Sequence, residues 1–246
     1  MAPQSPVEEG SPGAVPLEEI KKLALALPSP RASLDTLRGG RVAVIAELDP
    51  ARPDRRELAE QYEHCGVGAI AVPAGRPEAL AELAARSDAP VLSLEPAASG
   101  YQLWKARADG ADLVLIVAAE LTDQALVCLV ERACSVGVAA LVEVRDGRDL
   151  VRALRAGARA LLLRPPADAT AEQARRALED LLPLVPDHVV RVAECGPAGR
   201  ADLIALARLG ADAVLLGRAL LSGPGAAATV SGMASMGAHP ALSRRR

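Results

Sequence analysis

Eight short apolar segments with the composition of β-strands alternate with segments of helical pattern between residues 42 and 217. The strand-like segments lie near residues 42–47, 68–72, 90–94, 112–117, 139–144, 159–164, 189–194 and 212–217. Their repeat of roughly 25 residues is the spacing of βα units, which surround parallel strands with helices. The alternation therefore predicts an α/β fold, a (β/α)8 TIM barrel, with an open doubly wound sheet as the alternative.

Glycines mark several of the turns that lead from a helix into the next strand. Gly110, Gly157 and Gly210 each follow a helical segment and precede a strand within three residues. Glycine supplies the left-handed conformation that ends many helices, so each position predicts an αβ turn. The string Thr170-Ala-Glu-Gln173 predicts a capping box at the start of another helix. No Gly-x-Gly-x-x-Gly or P-loop string follows the first strand, which disfavours a nucleotide-binding sheet.

The ends of the chain differ in composition from the rest. Residues 1–15 are rich in Pro, Gly, Ser and Glu without periodicity and are predicted to be a disordered tail. Residues 16–246 are predicted to form a single barrel domain, since half of the 246 residues are apolar. That domain begins with a short amphipathic helix, in which Leu17, Ile20, Ala24 and Leu27 share one face.

Composition excludes several classes of function. The net charge of −3 and the absence of Phe give no footprint for nucleic acid. The chain has neither an apolar stretch of membrane length nor a basic leader, so we expect a cytoplasmic protein without a membrane partner. Its four cysteines are scattered, which fits a reducing compartment. Cys128 and Cys134 lie in an apolar helical segment and are predicted to be core residues.

Three of the strand-like segments end on a glutamate: Glu47, Glu143 and Glu194 close the first, fifth and seventh. Because an ionised carboxylate is costly to bury, these groups are expected to face a polar cavity. In a (β/α)8 barrel that cavity is the mouth at the carboxyl ends of the strands, where the chemistry collects. We therefore predict that the three glutamates are catalytic. The alternative is that they cap helices or pair with arginine.

The loops after the last two strands predict a phosphate site. Cys195 and Gly196 follow the seventh strand, and Gly217 and Arg218 follow the eighth. Glycines there let backbone amides approach an anion at a helix N-terminus, which is the commonest phosphate site of this fold. A phosphorylated small molecule is the predicted ligand, with plain strand-to-helix turns as the alternative.

Five stretches of the chain resemble the indole-3-glycerol-phosphate synthases of the tryptophan pathway, chiefly the actinobacterial ones. They are YQLWKARADGADLVLI at 101–116, LVEV at 141–144, VAECG at 192–196, GADAVLLG at 210–217 and GAHPAL at 237–242. The resemblance runs in order from the first helix to the end of the chain. It implies the (β/α)8 fold, a carbon–carbon lyase activity, no cofactor, and site roles for the three glutamates and the phosphate-site glycines.

At several site positions the sequence departs from the family pattern. Asp49 and Leu94 stand where the family carries its two lysines, and Cys195 stands at a family serine. Arg164 occupies a family asparagine and Pro166 a family arginine. The chain has only three lysines, none of which directly follows a strand. These replacements predict that ordinary decarboxylating ring closure is lost.

Three functions remain open from the sequence. The first is an enzyme with altered chemistry that binds a sugar phosphate through Gly196, Gly217, Arg218 and Arg52. The second is a non-catalytic paralogue that acts as an interaction or regulatory module with an unidentified protein partner. The third is a true synthase whose proton donor is another group.

Carboxylates that converge at the mouth require a group that neutralises their negative charge. Glu47, Asp49, Glu143 and Glu194 would repel one another if they converged without a lysine. Arginine from position 52 or 164, proton uptake, or a hard cation such as Mg²⁺ would each relieve the repulsion. We expect arginine to do so and predict no resident metal.

Overall fold

A closed barrel of parallel strands organises the described part of the chain. The computed structural model describes residues 15–166 and 168–242. Each strand pairs with its neighbours in chain order, and the last pairs with the first. The strands are β1 (Ala43–Glu47), β2 (Ala69–Val72), β3 (Val91–Ser93), β4 (Leu113–Val117), β5 (Ala139–Val144), β6 (Ala160–Leu163), β7 (Val190–Glu194) and β8 (Ala213–Leu216). The predicted (β/α)8 barrel is confirmed. The tail prediction for residues 1–15 lies outside the described residues except at Val15.

Helices surround this barrel. They are α1 (Leu17–Ala26), α2 (Ser33–Leu37), α3 (Arg55–His64), α4 (Pro77–Ala84), α5 (Gly100–Ala108), α6 (Asp123–Val136), α7 (Gly147–Arg155), α8 (Ala171–Leu181), α9 (Arg200–Leu209), α10 (Arg218–Leu221) and α11 (Ala226–Gly237). Short 3-10 turns lie at Ala118–Glu120 and Leu182–Leu184. No helix of the described residues is long and apolar enough to cross a bilayer.

The amphipathic first helix forms as predicted. Ile20 and Ala24 of α1 are buried, and α1 packs against α5. The Tyr101 hydroxyl of α5 donates a hydrogen bond to the carbonyl oxygen of Val15 at 2.9 Å. The short helix α2 covers the opposite end of the barrel from the strand carboxyl ends, where Leu37 is fully buried among inward-facing strand residues.

Two apolar clusters explain why the strands are continuously hydrophobic. Side chains that point into the barrel, such as Ile45, Leu92 and Leu115, form one cluster. Side chains that point outward, such as Val44 and Ile116, form a second cluster with the helices. A parallel strand buried on both faces has no position for a polar residue except at its ends.

Local turn chemistry follows the sequence. Gly110, Gly157 and Gly210 have φ of 92°, 79° and 96°, which are left-handed values that favour glycine. The Thr170 side chain accepts a hydrogen bond from the amide of Gln173, and the reciprocal bond is also present. The predicted αβ turns and capping box are therefore confirmed.

The prediction for two cysteines is wrong. Cys128 and Cys134 lie on the exposed face of α6. The buried face of this helix is formed instead by Leu126, Leu129 and Ala133, at the spacing of an amphipathic helix. Apolar composition indicated the helix but did not identify the side that packs on the barrel.

The end of α11 is packed tightly against the start of β1. The amide of Val42 donates to the carbonyl oxygen of Gly237 at 3.0 Å, and a Cβ atom on Gly237 would clash with the carbonyl oxygen of Val42. We expect Gly237→Ala to lower the free energy of unfolding by about 1–3 kcal/mol, measured by urea denaturation. Gly147→Ala, whose Cβ enters open space, is the control. Equal stability of the two variants would contradict this packing.

Candidate active site

At the carboxyl ends of the strands the inward row of side chains changes from apolar to charged. Glu47 ends β1, Glu143 is the penultimate residue of β5, and Glu194 ends β7. Arg164 directly follows β6, and Gly217 directly follows β8. The sequence predicted four of these positions as site residues around one mouth and Gly217 as part of a phosphate loop, and the structure brings all five to the same end of the barrel.

Arg164 joins two of the glutamates. Its Nη1 donates to Oε2 of Glu143 at 2.7 Å, and its Nε donates to Oε2 of Glu194 at 3.2 Å. Glu143 is almost fully buried, with 2% of its side chain exposed, whereas Glu194 is 34% exposed. A buried carboxylate requires a partner, and Arg164 supplies one. Among the groups considered from the sequence, arginine is thus the one that neutralises this side of the mouth.

Arg145 is a site residue that the sequence analysis missed. It follows β5, and its Nε and Nη2 lie 2.9 and 2.8 Å from Oε1 of Glu143. The hydrogen bond to Glu143 raises the pKa of the Arg145 guanidinium, so this side chain is a fixed cation. No motif marks the position. The only sequence signal was its place one residue beyond a strand that carries a glutamate.

Around the mouth, Glu194 on β7 lies between Arg164, which follows β6, and Glu47 on β1. Its Oε2 accepts a hydrogen bond from the backbone amide of Arg218 at 3.1 Å. A Cβ atom on Gly217 would lie 3.7 Å from Oε2 of Glu47 and 3.8 Å from Oε1 of Glu194, so both carboxylates border this glycine. Burial raises the pKa of Glu47, and the nearby Glu194 adds to the effect. The amide and charge of Arg218 and the charge of Arg164 oppose it.

The loop after β1 directs its charged groups to local partners. Arg52 forms an ion pair with Asp54 at 2.6 Å and donates to the carbonyl oxygen of Gly223 at 3.1 Å. Asp49 accepts a hydrogen bond from the amide of Ala51 at 3.0 Å and so stabilises its own turn. Arg52 was one of the two arginines that could have relieved the repulsion among the glutamates, and its contacts are instead with this loop and the loop after α10.

Leu94 forms part of an apolar wall at the mouth. It follows β3, is 9% exposed, and belongs to the inward-facing cluster together with Ala71 and Val117. These residues come from β2, β3 and β4, whereas the charged side chains of the inward row come from β1 and from β5 to β7. The mouth therefore has an apolar half and an ionic half.

A carboxylate from the first turn of α9, which the sequence analysis did not consider, lies against the loop after β7. Oδ2 of Asp202 accepts a hydrogen bond from the amide of Ala198 at 2.9 Å and would lie 2.7 Å from a Cβ atom on Gly196. Cys195 is buried, which raises the pKa of its thiol to about 12. The thiol donates a weak hydrogen bond to the carbonyl oxygen of Gly199 at 3.5 Å. Cys195 is therefore a neutral group that stabilises this loop.

Among residues 15–166 and 168–242, no group of three or more His, Cys, Asp or Glu side chains is arranged to hold a metal ion. The fold and the site together define a (β/α)8 barrel whose mouth contains an ion-paired carboxylate cluster, a second carboxylate of raised pKa, and an apolar wall.

Comparison with known proteins gives the family. The indole-3-glycerol phosphate synthase family matches residues 9–233. An indole-3-glycerol phosphate synthase of Streptomyces griseus is 38% identical over 94% of this chain and 92% of its own length. That of Kineococcus radiotolerans is 43% identical over 82% of this chain and 79% of its own. The chain belongs to the indole-3-glycerol phosphate synthase family, as its sequence resemblance indicated.

Solved structures of other proteins share the fold alone. An orotidine 5′-phosphate decarboxylase of Pyrococcus horikoshii superposes with a TM-score of 0.62 at 13% identity, covering 78% of this chain and 98% of that one. An N-acetylmannosamine-6-phosphate 2-epimerase of Clostridium perfringens gives 0.62 at 14% identity, covering 79% and 93%.

The ion pair between Arg164 and Glu143 predicts non-additive stability effects. Arg164→Leu should lower the free energy of unfolding by about 2 kcal/mol, because it leaves carboxylates without their partner. Adding Glu143→Gln should restore part of this loss, since it removes the unpaired charge. Urea denaturation measures the cycle. Arg175→Leu, which breaks two exposed ion pairs on α8, is the control and should cost less than about 1 kcal/mol. Additive losses at positions 164 and 143 would contradict the contact.

The raised pKa of Glu47 predicts a pH-dependent stability difference. The folded chain holds this proton more tightly than the unfolded chain, whose ordinary value is 4.5. Glu47 therefore does not change the free energy of unfolding well below pH 4.5, where it is protonated in both states. It lowers the free energy of unfolding increasingly as pH rises from 4.5 to its folded pKa.

We expect Glu47→Gln to be more stable than the wild type at pH 8 and equally stable at pH 3.5. Urea denaturation at the two pH values tests this, with Glu60→Gln at an exposed position of α3 as the control. A variant less stable than the wild type at pH 8 would refute it.

Proposed function

We propose that this chain is a divergent family member that binds a phosphorylated, sugar-derived molecule at the barrel mouth but does not close the indole ring at an ordinary enzymatic rate. Membership of the family supports lyase chemistry related to tryptophan biosynthesis. The replacement of both lysines argues against the ordinary reaction. The catalytic roles of Glu47, Glu143 and Glu194 belong to this proposal.

The proposal rests chiefly on Asp49 and Leu94, which stand at the positions of the two family lysines. Leu94 is buried in the apolar wall, and the Asp49 carboxylate accepts a hydrogen bond from the amide of Ala51. Ring closure requires a proton on a carbonyl oxygen and stabilisation of developing charge. A positioned acid contributes about 10²–10⁴-fold, and a cation a comparable factor. Loss of both ammonium groups therefore lowers the rate by roughly four or more decades.

Arg164 is a poor substitute for a lysine acid. The pKa of a guanidinium stays above ~12, so it does not release a proton near neutral pH. Its Nη1 and Nε are also bound to two glutamates. Arg164 can stabilise an anion, and the raised pKa of Glu47 leaves that carboxyl as the better proton donor of the mouth.

The rim after β8 supports a phosphate-bearing ligand. Gly217 separates β8 from α10, and the Arg218 side chain is exposed. Arg52 donates to the carbonyl oxygen of Gly223, which brings a second cation to the same rim. Because Glu47 holds the amide of Arg218, an incoming phosphate must compete with that carboxylate. Asp202 beside Gly196 adds repulsion, so Gly217 and the two arginines are the more favourable part of the predicted site.

The other expectations from the sequence stay predictions. A cytoplasmic location, the absence of nucleic acid and membrane partners, and a protein partner for a non-catalytic module await experiment. Ligand binding is the property that separates the proposal from the interaction-module alternative.

A fluorescence assay tests the lost reaction. Purified protein is mixed with the anilino-deoxyribulose phosphate from which the family forms indole glycerol phosphate, and indole fluorescence is followed. We expect a rate at least about four decades below that of the Streptomyces griseus relative, assayed as the positive control. A turnover within tenfold of that relative would refute the proposal.

Calorimetry tests the retained binding. Titration with glycerol phosphate should release heat in the wild type and fail to do so in Gly217→Asp, because the new carboxylate would repel the phosphate next to Glu47. Gly39→Asp, at the opposite end of the barrel, is the matched control and should bind as the wild type does. Absence of heat with millimolar ligand, or equal binding by Gly217→Asp, would contradict the site.

A further inference from the structure

The outer face of α7 carries a basic stripe, formed by Arg148, Val151 and Arg155. These residues are three and four positions apart, so they share one side of the helix, and all three are exposed. Arg152 on the same side is neutralised by an ion pair with Asp123 at 2.5 Å. Arg148 and Arg155 form no ion pair with any residue in the described part of the chain. The basic stripe therefore presents two unneutralised guanidiniums with a valine, 47% exposed, between them.

A groove of opposite charge lies between α3 and α11. Its volume is 520 Å³, and it is open to solvent. Glu57 and Glu60 stand on its α3 side, whereas Ala227, Ala228 and Ser231 form its α11 side. The small side chains of α11 leave room for a side chain from outside. Within residues 15–166 and 168–242 neither glutamate forms an ion pair, so the groove presents two unneutralised carboxylates.

The basic stripe and the groove lie on opposite sides of the barrel. In the closed order of eight strands, β1 and β5 are four strands apart. Helix α3 follows β1, α7 follows β5, and α11 packs against both β1 and α3. Every copy of the chain thus carries both surfaces on its flanks, and neither surface belongs to the mouth at the carboxyl ends of the strands.

We propose that the chain associates head to tail, with the basic stripe of one copy seated in the groove between α3 and α11 of the next. Val151 then lies over the small side chains of α11, and the guanidiniums of Arg148 and Arg155 face the carboxylates of Glu57 and Glu60. The occupant is a second copy because two cations meet two carboxylates that the same chain supplies.

The position of the two surfaces determines the shape of the assembly. A contact between different surfaces is heterologous, and when the surfaces lie on opposite sides it extends into an open chain of copies and does not close into a dimer. The nine residues of α7 span about 14 Å, so the contact is smaller than a standard interface of about 1,600 Å² and is weak. The mouth of each copy stays open in such an assembly.

Sedimentation equilibrium measures the association. From about 10 µM to about 1 mM protein, a range that brackets a Kd of order 0.1 mM, we expect the mean mass of the wild type to rise past that of a dimer. A reducing agent is present throughout, because Cys128 and Cys134 are exposed and could crosslink copies.

Two variants remove one surface each. Arg148→Glu/Arg155→Glu places carboxylates against those of the groove and should raise the Kd at least about 100-fold. Ala228→Trp, at an exposed position, fills the groove and should also keep the chain monomeric. An equal mixture of the two variants should form a one-to-one dimer and nothing larger, since the first keeps its groove and the second keeps its basic stripe.

Matched controls carry the same substitutions elsewhere. Arg76→Glu/Arg208→Glu and Ala201→Trp alter exposed positions outside the basic stripe and the groove, and both should associate as the wild type does. Circular dichroism checks that every variant is folded. If Arg148→Glu/Arg155→Glu does not fold, Val151→Asp replaces it with the same expectations.

A wild type that stays monomeric throughout the range would overturn the proposal and leave an acidic segment of another protein as the occupant of the basic stripe. A wild-type mass that levels off at that of a dimer would overturn the head-to-tail arrangement. Association that persists in either variant, or a mixture in which the two variants stay monomeric, would overturn the contact between these two surfaces.

Discussion

The carboxylate of Glu143 is buried at the barrel mouth and therefore requires positively charged side chains beside it. An ionised group that loses water without gaining partners costs several kcal/mol, and only 2% of this side chain is exposed. Arg145 and Arg164 meet that requirement from the ends of β5 and β6, and Arg164 extends the ion pairs to Glu194 on β7. Three neighbouring strands are thereby joined at their carboxyl ends by side-chain charge as well as by backbone hydrogen bonds.

Charge is distributed unevenly around the mouth, which gives it one apolar side and one polar side. On β2 to β4 the inward row ends in Ala71, Leu94 and Val117, which provide neither donor nor charge. On β5, β6 and β7 it ends in ion pairs, on β8 it ends in Gly217, and on β1 it ends in Glu47, whose pKa burial raises. A ligand that fits both halves has an apolar side and a polar side. The ionisable side chains of the inward row lie on the polar side only, because Ala71, Leu94 and Val117 have no group that could carry a proton.

Sequence patterns predicted those features that depend on periodicity and local backbone chemistry. The eight strands, the glycine turns such as Gly210 and the capping box of Thr170 follow from rules that act within a few residues. The contacts of single long side chains do not follow from such rules. Arg52 could reach the mouth or its neighbour Asp54, and Arg145 belonged to no motif. The faces of α6 were misassigned at Cys128 for a related reason, since apolar composition does not identify the packed side.

Closure of the barrel by β1 and β8 has a consequence for synthesis on the ribosome. The edge of β1 has no hydrogen-bonding partner until β8 is available, and the contact of Val42 with Gly237 requires α11 as well. About 170 residues separate the two strands, so at typical elongation rates β1 waits roughly 10–30 s for its second neighbour. During that interval an apolar strand with an open edge is exposed to other chains. The nascent protein is thus most vulnerable to aggregation at the unpaired edge of β1.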